Sequence, residues 1–190
     1  RASSTILTGM TYLAVLPSLL CGLVLCGTDL RRRRVPRAVV AVGVMFQVVV
    51  FALPVISGGY AWPAVVNAAY GVLAGSIQFT LALARPGSLG FGDVTASILI
   101  GQAVGSFGIN IFVLWWLVMG GGGLVWLRLW SRWPWLRSMC TARDPTMDSG
   151  GVPPDTPPEP PGSAPFVPVI VTAGIIAVAL GPWIGGGSIT

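Results

Sequence analysis

Of the six acidic residues in this 190-residue chain, four crowd into one Pro-rich stretch: Asp144, Asp148, Asp155 and Glu159. The other two, Asp29 and Asp93, each border a long apolar run. An ionisable group at a membrane helix costs several kcal/mol and is a functional candidate by default. Two carboxylates brought together form an acid/base pair. Mutual repulsion and partial desolvation favour one shared proton, so one member stays ionised while the other is neutral. The ionised member can take a proton from water, and the neutral one can hydrogen-bond a substrate carbonyl. That is the minimum equipment for peptide hydrolysis without His, Cys or metal.

The remaining composition points the same way. The chain has no His and no Lys, and its three cysteines (Cys21, Cys26 and Cys140) form no CxxC pair. This removes Ser-His-Asp and Cys-His catalysis, histidine metal sites, Schiff-base lysines and a P-loop lysine. No metal and no cofactor are expected. Cys21 and Cys26 lie in an apolar run and read as small buried hydrophobes. Gly90-Phe91-Gly92 leads into Asp93. Glycines allow close approach of a substrate backbone, so Gly90 and Gly92 are candidate substrate-binding positions. Asp93 also opens a helix, where the dipole favours an anion.

The elements that must hold these residues are membrane helices. Hydrophobic residues make up 54% and charged residues 9%, against about 25% charged in a soluble domain. The length suits six helices of about 20 residues, each able to cross ~30 Å of hydrocarbon. Apolar runs fall at about 6–28, 38–56, 64–84, 93–107, 109–129 and 166–184. The fold class is therefore all-α, a polytopic bundle of about six transmembrane helices in one membrane domain spanning residues 1–190. Only Gly105-Ser106-Phe107-Gly108 marks the boundary between the fourth and fifth runs. The first run is too long for a signal-peptide core and lacks a basic segment in front, so it reads as a retained helix.

Arginines follow the first run (Arg31 to Arg34, and Arg37), the third (Arg85) and the fifth (Arg128, Arg132, Arg137 and Arg143). If six helices alternate, all three connections share one side, which the positive-inside rule makes cytoplasmic, with both termini outside. Tyr60, Trp62 and Trp183 fall at the opposite interface, and Trp126, Trp130, Trp133 and Trp135 read as an aromatic belt. The net charge of +5 belongs to these flanks and not to a nucleic-acid face, so the bilayer is the expected partner and nucleic acid is not. Residues 144–163 read as a Pro-rich cytoplasmic linker between helices five and six. Gly71-x-x-x-Gly75, Gly101-x-x-x-Gly105 and the Gly120 to Gly123 run permit close helix approach.

Three segments carry a resemblance. Leu89-Gly90-Phe91-Gly92-Asp93-Val94 resembles the GxGD motif of membrane aspartic proteases. Asp29 to Pro36, with Val35 before the proline, is similar to the Asp-x5-[Ile/Val]-Pro motif of type IV prepilin peptidases, and Pro165-Phe166-Val167-Pro168 to their late Pro-Phe-x-Pro element. The resemblance covers the core from about residue 12 to residue 182. The resemblance implies a multi-pass aspartic endopeptidase of the bacterial inner membrane that removes the leader peptide of type IV prepilins, pseudopilins or Flp-type pilins. Asp29 and Asp93 match its two catalytic aspartates, at the cytoplasmic face. Arg37 stands where the family often has Asn, and Thr95 where Lys is common. The cysteine-paired cytoplasmic domain of bifunctional members is absent. The short form resembles peptidase-only members, which argues against N-methylation. Two other readings of the same residues are a catalytically silent pilus-assembly homologue and a proton-coupled membrane carrier, although a carrier would want its acids near mid-membrane.

Overall fold

The computed structural model describes residues 2–32, 35–84, 90–132 and 165–184. Among them are six helices and no strand: α1 (Ala2–Arg32), α2 (Arg37–Ile56), α3 (Trp62–Ala84), α4 (Phe91–Gly105), α5 (Ile109–Arg132) and α6 (Val167–Ile184). The chain is an all-α polytopic membrane protein. Four segments are long and apolar enough to cross a membrane: Thr11–Leu30, Ala38–Ile56, Trp62–Ala84 and Ile109–Arg132. The Pro-rich stretch at 144–163 lies outside the described residues.

Local chemistry sets the ends. Pro36 is extended, at φ −68° and ψ 113°, and its carbonyl accepts from the Val39 and Val40 amides, opening α2. Between α4 and α5 the chain turns at Gly108, whose φ of +96° lies in the left-handed region that glycine enters without a Cβ penalty. That turn resolves the soft boundary. The fourth helix stops at Gly105, two residues short of the apolar run, because apolarity marks immersion while hydrogen bonding marks the helix end. For the same reason α1 continues to Arg32 and α5 to Arg132, past their last apolar residues.

The architecture turns on α4. Its 15 residues rise only ~22 Å, less than the hydrocarbon thickness. It is apolar nearly all round and packs against every other helix, as a wholly buried helix must. Outer helices turn Leu20, Val24, Phe46, Leu53, Leu117 and Leu124 outward, a surface suited to lipid and not water. The most extensive interface is α3 on α4. There Gly71 faces Gln102 and Gly105 faces Tyr70; a Cβ at Gly75 would lie 2.5 Å from Ile98 Cγ1, and one at Gly101 2.5 Å from Ala74 Cβ. With no hydrophobic drive between helices in lipid, such backbone-close packing supplies the attraction. Asn67 Nδ2 donates to Gln102 O at 2.6 Å and Ser106 Oγ at 2.8 Å, tying α3 to the end of α4.

Tyr60, Trp62 and Trp183 are strongly exposed, on helix ends away from the aspartates. Trp130 is instead buried, and Trp126 is half-buried with its indole N–H engaged; both are packed groups more than belt residues. Trp133 and Trp135 lie outside the described residues.

Candidate active site

Asp93 occupies the third position of α4. Gly90, the N-cap, has no side chain, so its carbonyl accepts from the Asp93 amide at 3.0 Å while Asp93 Oδ2 accepts the Gly90 N–H at 3.0 Å. This reciprocal closure satisfies two groups at a helix start and fixes the carboxylate rotamer. Asp29 lies near the end of α1. The two are the only acids among the described residues, and both are buried: Asp29 is 8% exposed and Asp93 9%. They sit within electrostatic reach of each other.

The end of α1 and the starts of α2, α4 and α6 converge here. The α1–α2 connection meets the start of α4, where Val35 fills the space beside Gly92. The start of α6 meets α1, with Cys26 Sγ 4.0 Å from Val167 O. It also meets α5: Trp126 Nε1 donates to Pro165 O at 2.9 Å, and the Phe166 ring fills a notch left by Gly123, 2.9 Å from where a Cβ would stand. Deeper in the bundle, Trp115 Nε1 donates to Ile170 O at 3.0 Å. Each of the three sequence segments singled out above thus lies at the same end of the bundle. The arginine-bearing connections leave from that end.

The two glycines differ. Gly90 is exposed and a Cβ there would meet Asp93 Oδ2 at 3.7 Å and Gly92 N at 3.9 Å, both ordinary contacts. Gly92 is occupied by Val35, which makes the close approach that glycine permits. Thr95, at the position where Lys is common, turns its hydroxyl back to Gly92 O at 2.9 Å. Cys21 and Cys26 are free thiols, half-buried; Cys140 lies outside the described residues. Sequence reasoning missed the Val35–Gly92 contact and the indole bonds to α6. Nothing in the spacing announces either, although a buried indole N–H usually finds an acceptor.

The sequence model of the type IV leader peptidase family matches residues 15–125, more than half of the chain. The match takes in Asp29, Val35, Gly92 and Asp93 and ends before α6. No curated protein and no solved structure matches the chain. On the strength of that match the chain belongs to the type IV leader peptidase family.

Proposed function

We propose that this protein is an aspartic endopeptidase of the bacterial inner membrane, cutting the leader from type IV prepilins, pseudopilins or Flp-type pilins. Asp29 and Asp93 are its catalytic pair. The observation that carries the reading is the burial of these two carboxylates within reach of each other, at one end of an otherwise apolar bundle. Desolvating two acids in this way is costly, and catalysis gives a reason for it.

The pair shares one proton. The ionised carboxylate takes a proton from a water, whose oxygen attacks the scissile carbonyl carbon. The protonated partner hydrogen-bonds the carbonyl oxygen and passes its proton as the tetrahedral intermediate forms. On collapse one hydroxyl of the intermediate returns its proton to the partner carboxylate as the carbonyl re-forms. The C–N bond breaks, and the first acid gives its proton to the leaving amine. Gly90, exposed beside the pair, is where a substrate strand can lie close to backbone. Asp93 Oδ2 is engaged by the Gly90 amide, which leaves Oδ1 for water or substrate.

Co-expression with a candidate prepilin in a host lacking its own peptidase tests the reading, with leader removal scored by gel mobility. An unshifted prepilin, with the protein correctly inserted, rejects it. A silent assembly homologue would give that result while still supporting pilus formation.

The orientation is testable separately. The connections carrying Arg31 to Arg37, Arg85, and Arg128 to Arg143 are expected in the cytoplasm. Single cysteines at positions 33 and 150 of a cysteine-free variant should resist an impermeant thiol reagent in intact cells and react once the membrane is opened. Labelling from outside at either position would invert the topology.

A further inference from the structure

The α1–α2 connection carries no acid, yet it bears directly on the residue beside Asp93. A Cβ built on Gly92 would lie 2.5 Å from Val35 Cγ2 and 2.9 Å from Val35 Cβ. The valine therefore rests on the bare Cα of Gly92. From behind, Val35 is held by Pro36, whose carbonyl starts α2, and it packs on the hydrophobic core. A β-branched side chain is stiff at χ1, which suits a spacer.

Deeper in the bundle α1 and α2 also touch α4, through Gly22 against Ile100 (3.0 Å to a built Cβ) and Gly43 against Leu99 (2.9 Å). Those contacts fix the helices at mid-height. Asp29 stands seven residues, about two turns, beyond Gly22. Nearer its end α1 is held against the start of α6, where Cys26 Sγ stands 4.0 Å from Val167 O, and Leu25 is buried in the core. Those contacts leave the spacing from the first turn of α4 to the contact of Val35 on Gly92.

We propose that Val35 is a positioning residue: seated on Gly92, it sets how closely the end of α1, carrying Asp29, approaches the first turn of α4, carrying Asp93. Its catalytic consequence rests on the reading of the two aspartates as the acting pair; its geometric content does not.

Two assays test it in membranes. In the first, prepilin cleavage is measured. Gly92→Ala places a methyl in the valine's seat and should lower kcat by ~10²-fold, as a displacement near 1 Å does, with KM changed by less than about threefold. Val35→Ala removes the spacer and should lower kcat by about tenfold. The double variant restores room and contact together and should recover at least about tenfold over Gly92→Ala. In the second assay, Asp29→Cys and Asp93→Cys are placed in a background lacking Cys21, Cys26 and Cys140, and a short bifunctional thiol reagent reports their separation by mass spectrometry. Cross-link yield should fall with Gly92→Ala and return with the double variant.

A double variant no better than Gly92→Ala in both assays overturns the proposal, as does Val35→Ala with unchanged kcat and cross-linking. If Gly92→Ala fails to accumulate, Val35→Ala decides in both assays. If the parent protein cleaves no leader, the aspartate reading falls, and the cross-linking series alone judges the spacer: equal yields in all four backgrounds reject it.

Discussion

Asp29→Asn and Asp93→Asn should each abolish leader cleavage, by ~10³-fold or more, while leaving insertion intact. Asn keeps the size and polarity of Asp but can neither take the proton of water nor return one, so the acid/base cycle stops. At position 93 the amide oxygen can still accept the Gly90 N–H now bonded at 3.0 Å, so the helix start survives. Stability should hold or rise, because each change removes a carboxylate that is 8% or 9% exposed and costly to desolvate. The double variant should be no worse than either single one, since two groups acting on one water form a unit. Asp144→Asn with Asp148→Asn is the control and should cleave normally. Gel mobility of a co-expressed prepilin reads the activity, and thermal unfolding in detergent reads the stability. Full cleavage by either single Asn variant would remove the aspartic mechanism.

A second large effect is expected from a single methyl. Gly101→Ala would set its Cβ 2.5 Å from Ala74 Cβ and 3.2 Å from the Tyr70 carbonyl oxygen. Neither neighbour can rotate away: one is a Cβ and the other is backbone. The α3–α4 interface would have to open, at about 1–3 kcal/mol, with α4 losing its most extensive support. The matching control is Gly121→Ala on α5, where a built Cβ meets nothing within 4 Å. There alanine should be neutral or stabilise by up to about 1 kcal/mol through helix propensity. Thermal unfolding of the two purified variants should therefore place Gly101→Ala below the parent protein and Gly121→Ala level with it or above. Equal melting temperatures would mean that α3 and α4 are not packed backbone to backbone.

Much of this was legible in the sequence because acids are conspicuous where hydrocarbon is the solvent. Asp29 and Asp93 stood out by exclusion, and charge at alternate connections sorted the ends of the helices. What stayed hidden follows from the same medium. A lipid-facing helix and a fully enclosed one are both apolar all round, so α4 could not be told from its neighbours by pattern. Its length was legible, since the apolar run 93–107 is as long as the helix, but its frame lay two residues late because Phe107 is apolar after the helix has ended. Val35 on Gly92 joins residues 57 positions apart, and no local propensity encodes such a meeting. Trp126 looked like an interface aromatic because its neighbours along the chain are tryptophans and arginines. Only the approach of Pro165 shows where its indole N–H goes.

The clasp between α5 and α6 has a consequence for how this chain can change. Trp126 on Pro165 and Phe166 in the Gly123 notch hold the two sides of the 133–164 interval together without help from the interval itself. Closing a longer loop costs little extra, about 0.6 kcal/mol per doubling of length. The Pro-rich stretch 144–163 is thus expected to be an insertion port: lengthening, shortening or cutting it should still let the last helix find its berth. Two separately made pieces, parted within that interval, would carry complementary halves of one lock.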